Sequence, residues 1–262
     1  MAVVAEPSER RAATNSQDAT VRLERVSKSF GGRKVLDSVS FEVANGSGFA
    51  ILGRSGTGKS VMLRHIVGLM TPDAGRVYVY DDEVSALKGK ELSRVRRGIG
   101  FLFQNAALFD SITVGENVAF PLRRHTKLRD EEIRDKALEK LRSVGLEREY
   151  HKMPAALSGG MRKRAGLARA MALDPPLLLV DEPSAGLDPI TTDEIDGLLL
   201  DLKRRGGTTI VIVTHNIPSA RRLGDRLVML HEGRIVAEGS PEELAASSNE
   251  LVRAFMHSEH AG

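Results

Sequence analysis

The chain has 262 residues, 41% hydrophobic and 28% charged, so it can bury a sizeable core and is too polar for a membrane-embedded or low-complexity protein. Its 38 basic residues nearly balance 35 acidic ones, leaving a net charge of +3, and aromatic residues make up only 4%, so nucleic acid is not expected as a partner. The absence of cysteine excludes disulfides, thiolate metal sites and cysteine nucleophiles.

The predicted elements begin after a polar segment, residues 1–19, which we expect to be a disordered tail. Apolar and polar residues alternate over 21–26 and 39–43, with Gly31-Gly32 between them, and this period of two predicts half-buried antiparallel strands. The continuous apolar run 49–52 predicts a buried strand, which leads through glycines into a helix.

The middle of the chain, residues 89–161, has mostly helical patterns, including an amphipathic helix that we expect to begin at Asp130 as N-cap and to end at Gly145. Buried-strand patterns return at 177–181 and 208–214, with a helix from Pro189 between them. A hairpin and a helix capped by Ser240 follow. This alternation predicts an α/β fold with a helical insertion.

A phosphate-binding loop is the most specific motif, because it follows a predicted buried strand and opens a helix. It reads Gly53-Arg54-Ser55-Gly56-Thr57-Gly58-Lys59-Ser60, with Val61 next in the predicted ATP-binding set. Glycines let successive N–H groups form an anion nest, Lys59 would reach the β- and γ-phosphates, and Ser60 would offer a hydroxyl to Mg²⁺. The plainer alternative is a glycine-rich turn without a ligand.

Two acidic residues, Asp181 and Glu182, end the predicted strand that begins at residue 177. The carboxyl ends of strands are where open α/β sheets bind ligands. We therefore expect Asp181 to serve the Mg²⁺ ion and Glu182 to polarise the attacking water. Alone, such a pair more often solvates the end of a strand, and only the phosphate loop favours the functional interpretation.

A third motif, Leu157-Ser158-Gly159-Gly160-Met161, lies between the other two, and together they resemble the ATP-binding-cassette (ABC) ATPases over residues 20–245. The resemblance implies a RecA-like P-loop NTPase core (20–88 and 162–245), an antiparallel β subdomain, an inserted α-helical subdomain (89–161), and a C-terminal helix and tail (246–262). In that family the signature motif opens a helix whose N-terminus grips the γ-phosphate of ATP held by the opposite subunit.

Four further positions match the family in order and context. The resemblance makes Phe30 the aromatic that stacks on adenine, Gln104 the glutamine that touches Mg²⁺ and water, and His215 the switch histidine at the γ-phosphate. Ser184-Ala185-Gly186-Leu187-Asp188 resembles the D-loop that meets its twin across a dimer. Each has a plain alternative: Phe30 as a core residue, Gln104 in a surface turn, His215 at a capped strand end, and Asp188 as a helix N-cap.

The fifth signature position, commonly Gln, is Met161 here, and the backbone donors of the two glycines are unaffected, so we expect activity to survive. Leu-Ser-Gly-Gly-Met is typical of one branch, the ATPases of Mla-type and related MCE-protein lipid transporters. The stretches 103–110, 116–123 and 188–191 resemble the same branch. In the family the residues after Gln104 face the permease, so Ala107, Leu108 and Phe109 are expected to form a socket for one of its helices.

The resemblance implies a homodimer that binds and hydrolyses MgATP to drive lipid transport through an integral permease dimer, on the cytoplasmic side of the inner membrane. An MCE-domain lipid-binding protein is an expected partner. In some members a longer C-terminal tail clasps a STAS-domain regulator, which is doubtful here because the chain stops at Gly262.

Other functions remain open at this stage. They are the ATPase of a polar-solute importer, such as one for amino acids, a soluble cassette of the translation-factor or DNA-repair kind, and a regulator that senses nucleotide without hydrolysis. The chain has one phosphate loop, and Leu157 comes only 97 positions after Ser60, which argues against the soluble cassettes.

Overall fold

The structure, a computed structural model, describes residues 19–258 except for the side chain of Arg205. The predicted tail, residues 1–19, lies outside the described residues apart from Ala19. Because Ala19 is the first residue of a strand, the predicted domain boundary shifts by one residue. The strands within 19–258 are β1 Ala19–Phe30, β2 Arg33–Ala44, β3 Gly48–Leu52, β4 Ala74–Val79, β5 Asp82–Glu83, β6 Ile99–Leu102, β7 Leu177–Asp181, β8 Thr209–Thr214, β9 Arg226–His231 and β10 Arg234–Gly239.

The helices of the described segment include all those that the sequence patterns predict. They are α1 Lys59–Ile66, α2 Gly89–Arg97, α3 Val114–His125, α4 Asp130–Ser143, α5 Gly159–Ala170, α6 Pro189–Gly206, α7 Ile217–Leu223, α8 Pro241–Ala245 and α9 Glu250–His257, with 3₁₀ turns at Glu147–Glu149 and Pro154–Ala156. One cap differs from expectation. Helix α4 begins at Asp130 itself, and the N–H of Arg129 is capped by the carboxylate of Glu132. No helix within 19–258 is long and apolar enough to cross a membrane.

A six-stranded sheet in the order β10-β9-β3-β8-β7-β6 is the centre of the fold. Its inner strands pair in parallel and are buried on both faces, as their continuous apolar sequences predicted. Because side chains alternate along a strand, Ile51 and Leu179 face one core while Leu52 and Val180 face the other. The sheet therefore separates two hydrophobic cores.

One core is shared with a four-stranded antiparallel sheet, β2-β1-β4-β5, and with α1 and α2. The predicted hairpin of β1 and β2 is present, with Phe30 and Arg33 paired on either side of Gly31-Gly32. The other core is covered by α3 to α9. These features confirm the predicted α/β fold with an antiparallel β layer and a helical insertion.

The predicted start of the helical subdomain at residue 89 differs from the structure. Strand β6 pairs in parallel with β7 at the edge of the central sheet, and Val95 of α2 packs into the core shared with the antiparallel sheet. Both elements therefore belong to the sheet layers, because their apolar side chains are buried there. The helical layer proper follows β6.

The parallel register brings four chain segments to one edge of the sheet. Leu52 pairs with Thr214, Val213 with Asp181, and Val180 with Leu102. Because these strands run in the same direction and end level with one another, the residues that follow them lie at one edge. Those residues are the phosphate loop, Glu182, His215 and Gln104.

Candidate nucleotide-binding site

The phosphate loop connects β3 to α1 in a conformation that requires glycine at its two ends. Gly53 has φ of 154° and a Cβ there would lie 2.5 Å from the carbonyl oxygen of Leu230. Gly58, with φ of 103°, is the left-handed N-cap of α1, and a Cβ would meet Val35 and Leu36 within about 3 Å. The exposed residues between them, Arg54, Ser55 and Gly56, leave the loop open to solvent above the N-terminus of α1. Such a loop presents N–H groups and a positive helix end to an anion.

Lys59 is buried at the base of this loop, with 5% of its surface exposed. Its ammonium donates to the carbonyl oxygens of Gly53 (2.8 Å) and Arg54 (3.1 Å), and lies 3.3 Å from Oε1 of Glu182. The loop lysine and the carboxylate that follows β7 are thus an ion pair in this structure. Phosphate oxygens entering the loop would compete with these acceptors for the same ammonium.

Ser60 and Asp181 meet across the gap between α1 and β7. The Ser60 hydroxyl donates to Oδ1 of Asp181 at 2.7 Å. Burial raises the pKa of the Asp181 carboxyl, and the Ser60 hydrogen bond partly opposes that rise. A hydroxyl and a carboxylate in contact are hard oxygen donors of the kind that Mg²⁺ prefers when phosphate oxygens complete its shell. The two side chains therefore fit the predicted magnesium site.

Glu182 and His215 follow neighbouring strands and bond directly. The ring Nδ1 of His215 lies 2.9 Å from Oε2 of Glu182, and the backbone N–H of His215 is 3.4 Å from the same oxygen. Glu182 is 6% exposed and has φ of +46°, a left-handed conformation that is unusual for a residue with a side chain. The sharp turn directs its carboxylate back towards Lys59 and His215.

Gln104 and Phe30 are both exposed. Gln104 is exposed in the turn after β6, beside the end of β7. Phe30 ends β1 and is 45% exposed, which is inconsistent with the alternative of a core residue. The ammonium of Lys28 lies 5.7 Å from the centre of the Phe30 ring. An exposed aromatic face can stack on a base.

The signature motif forms the N-terminus of α5. The Ser158 hydroxyl accepts a hydrogen bond from the Met161 N–H (3.2 Å), while Leu157 is buried. Ser158 and Gly159 are exposed. Gly160 is buried, and a Cβ on it would lie 2.4 Å from Cγ2 of Thr191. Met161 is partly buried against the helical core.

The segment that resembles the D-loop lies between β7 and α6. Ser184 is buried, Leu187 is partly buried, and Gly186 is exposed with φ of +74°. Asp188 caps α6 by accepting hydrogen bonds from the N–H and hydroxyl of Thr191. Asp188 is therefore the N-cap of α6, as one of the two interpretations from the sequence predicts.

Lys163 is a site residue that sequence reasoning missed. It lies on the buried face of α5, and its ammonium donates to the main-chain carbonyl oxygen of Glu182 at 3.0 Å. Lys163 is spaced three residues from Gly160 and four from Leu167, which are buried on the same face of α5. This helical spacing is the one sequence pattern that indicates a buried position for Lys163.

A lateral cleft of about 570 Å³ lies beside β6, between α2, α3 and α5. Its apolar lining includes the stacked rings of Phe101 and Phe103 and the paired rings of Phe109 and Phe120, which are 5.1 Å apart. Arginines and a histidine also line it, namely Arg96, Arg97, Arg124, His125 and Arg169. Of the three predicted socket residues, Ala107 and Phe109 line the cleft, whereas Leu108 packs against the helical core.

The family model described as ABC transporter matches residues 36–185, more than half of the chain. Among curated proteins, the probable ribonucleotide transport ATP-binding protein mkl of Mycobacterium leprae is 42% identical over 92% of this chain and 70% of that protein. The intermembrane phospholipid transport system ATP-binding protein MlaF of Escherichia coli is 39% identical, over 90% and 88%. The methionine import ATP-binding protein MetN of Caulobacter vibrioides is 43% identical, over 86% and 68%.

A solved dimeric ATP-binding cassette in a post-hydrolysis state, bound to ADP and phosphate, has the same fold. It superimposes with a TM-score of 0.79 at 38% sequence identity, and the match covers 84% of this chain and 98% of that one.

Proposed function

The chain belongs to the ABC transporter family as its ATP-hydrolysing subunit, and on that premise we propose that two copies drive phospholipid transport through a membrane permease. The observation that carries the ATPase assignment is the convergence of Lys59, Asp181, Glu182 and His215 at one edge of the sheet. The lipid substrate is supported by the Leu-Ser-Gly-Gly-Met signature and by the similarity to MlaF.

In the proposed reaction the phosphate loop and Lys59 bind the β- and γ-phosphates of ATP. Ser60, Asp181 and Gln104 would hold Mg²⁺, which neutralises phosphate charge when bound. Glu182 orients a water for attack on the γ-phosphorus and accepts its proton, and His215 donates a hydrogen bond to the γ-phosphate. As the new P–O bond forms, the bond from the γ-phosphorus to the oxygen bridging it to the β-phosphate breaks, and ADP leaves. Lys59 must leave the Glu182 carboxylate for this, because a carboxylate held at both oxygens is a poor base.

The site needs a second copy. Ser158 and Gly159 stand exposed at the N-terminus of α5, and this helix end can bind an anion. A homodimer in which each signature closes on the ATP of the other protomer would use both exposed surfaces, and the solved cassette that this chain resembles is dimeric. Phe30 would stack on the adenine.

The lateral cleft is the proposed socket for the permease, because it combines exposed aromatic side chains with a concave shape. Phe109 and Phe120 are 45% and 47% exposed. Docking there would place this subunit on the cytoplasmic face of the inner membrane. An MCE-domain lipid-binding protein would be a further partner in the same transporter. Gln104 follows Phe103, which lines the cleft, and comes two residues after β6, the neighbour of β7, so this residue would pass the nucleotide state to the permease.

A second candidate is the ATPase of an amino-acid importer. It is favoured by the 43% identity to the methionine import protein MetN. The two candidate functions use the same ATP-hydrolysing site. They differ in the permease, in the proteins that accompany it and in the substrate that is transported.

The test is to purify tagged Glu182→Gln chain from detergent-solubilised native membranes and to identify the accompanying proteins and lipids by mass spectrometry. A permease with an MCE-domain protein and phospholipid is the expected result. A permease with a solute-binding protein would favour the importer, and no permease would contradict both.

The cleft supplies a matched pair of variants for this purification. Phe120→Asp, added to Glu182→Gln, puts a charge in the cleft and should lose the permease while retaining ATP binding. Leu69→Asp charges an equally exposed apolar site elsewhere (55% exposed) and should keep the permease.

A further inference from the structure

The signature helix α5 holds the main chain of Glu182 through Lys163. Lys163 is only 6% exposed, and its ammonium donates to the Glu182 carbonyl oxygen at 3.0 Å. Burial lowers the pKa of Lys163, while the nearby carboxylates of Glu182 and Asp181 oppose that shift. Glu182 is also the residue with the left-handed φ of +46°. The lysine therefore binds the peptide whose unusual conformation directs the proposed base.

A second contact joins α5 to the same segment of chain. Thr191 packs its methyl group so closely on Gly160 that no Cβ fits between them. Thr191 is in turn fixed to Asp188 by two hydrogen bonds. The segment from Glu182 to Thr191 is thus attached to α5 at both ends, at Lys163 and at Gly160.

A buried ammonium is a costly way to fill this space. Taking a lysine out of water carries a large desolvation penalty, and an apolar side chain of similar length would fill the same volume without it. What the lysine adds is a directed bond to one carbonyl oxygen. This favours a role in positioning Glu182 over a role in packing.

We propose that Lys163 is a positioning residue that couples the two ATP sites of a dimer, by linking the signature helix to the Glu182 main chain. The inference rests on the proposed function, in which the signature of α5 binds the ATP of the other protomer. ATP bound there sets the position of α5, and Lys163 and Gly160 carry that position to Glu182 in the protomer's own site. Occupation of one site then prepares the base of the other.

The test compares full-length variants by the ATP dependence of turnover and by the binding of a fluorescent ATP analogue. Lys163→Met keeps the length of the side chain but removes the charge and the hydrogen-bond donor. Lys163→Arg keeps the charge and the donor. Lys203→Met is the control, because Lys203 also donates to a carbonyl oxygen, that of Leu223 (3.2 Å). Lys203 pairs in addition with Asp225, which bonds to Gly48 at the end of β3 opposite the phosphate loop.

We expect wild type, Lys163→Arg and Lys203→Met to hydrolyse ATP with a Hill coefficient above 1. Lys163→Met should bind the analogue within about twofold of wild type, turn over about tenfold more slowly, and have a Hill coefficient near 1. A purely structural role would lower the yield of folded protein and leave the Hill coefficient of the remainder unchanged.

If Lys163→Met does not fold, the shorter neutral variant Lys163→Gln replaces it and must also lower the Hill coefficient. A folded neutral variant with wild-type turnover and cooperativity overturns the inference. Wild type that hydrolyses ATP with a Hill coefficient of 1 also overturns it, while leaving the proposed function intact. Wild type without any hydrolysis overturns both.

Discussion

Nδ1 of His215 lies 2.9 Å from Oε2 of Glu182. The other carboxylate oxygen lies 3.3 Å from the Lys59 ammonium, so both oxygens of the proposed base are occupied by groups that the proposed mechanism assigns to phosphate. Phosphate oxygens that enter the loop would compete for both groups, so in the proposed mechanism ATP binding would free the Glu182 carboxylate to act as the base.

Glu182→Gln is expected to bind ATP and to remain in an ATP-bound dimer, because the amide keeps the shape of the side chain but cannot accept the proton of the water. Turnover should fall about 10²-fold or more. Size-exclusion chromatography with and without ATP, beside an ATPase assay, measures both effects. A monomer under all conditions with full turnover would contradict the assignment.

Lys59→Ala should abolish hydrolysis and weaken ATP binding, because it removes the buried ammonium at the base of the phosphate loop. It should also destabilise the nucleotide-free protein, since Glu182 is left buried without that partner. Thermal unfolding and nucleotide titration check the two effects. The control is Arg54→Ala, which removes an exposed cation of the same loop, and turnover of Lys59→Ala within a few-fold of that control would refute the role.

Gly160→Ala should cost about 1–3 kcal/mol of folding free energy, because its Cβ would lie 2.4 Å from Cγ2 of Thr191. Thr191→Ser removes that methyl group and keeps the hydroxyl bonded to Asp188, so the double variant should recover most of the loss. Denaturant unfolding of the single and double variants measures the coupling.

Gly159→Ala is the control for this pair, since its Cβ would only reach ordinary contact with Leu187 at 3.6 Å. It should unfold like wild type. Equal destabilisation by both alanines, or no recovery in the double variant, would show that the contact with Thr191 is not responsible.

Met161→Gln should leave turnover within about threefold of wild type. The side chain is partly buried, its volume is similar to that of Gln, and its backbone N–H still donates to the Ser158 hydroxyl. A steady-state ATPase assay is sufficient. A collapse of activity would instead assign Met161 a specific packing role.

Asp196→Asn should stabilise the protein at pH 7, because burial raises the pKa of Asp196 in the fold. A carboxyl group whose pKa is raised in the folded state stabilises the fold while it is protonated. This contribution is fully present at pH values below the ordinary pKa of 3.8, and it is lost as the pH rises through the pKa of the folded state. The amide can still accept the Ser219 hydrogen bond, so the variant should be more stable than wild type at pH 7.

The gain from Asp196→Asn should shrink as the pH is lowered towards the ordinary carboxyl pKa of 3.8, which urea unfolding at several pH values measures. Asp193→Asn changes an exposed neighbour on the same helix and should lack this pH-dependent gain. A difference that does not vary with pH would mean that Asp196 ionisation is not its cause.

Much of the fold follows from local patterns. The buried runs that became β3, β7 and β8 and the caps of α5, α6 and α8 depend on residues close together in the chain, so the sequence indicated them. The N-cap of α4 is Arg129, one residue before the Asp130 that the sequence predicts, because Asp130 belongs to the first turn of the helix. Strand β6 lies in the segment 89–161 that the sequence predicts to be mostly helical, and its membership of the central sheet depends on pairing with β7, which is distant in sequence.

The sequence by itself determined the phosphate loop, the acidic pair after β7 and the signature, since each is a run of residues whose chemistry depends on spacing. Only the tertiary structure decided which groups meet: Lys59 with Glu182, Lys163 with the Glu182 carbonyl, and Gly160 with Thr191. These contacts join residues of different elements, and their geometry is set by how the two cores pack on the sheet. No local pattern carries that information.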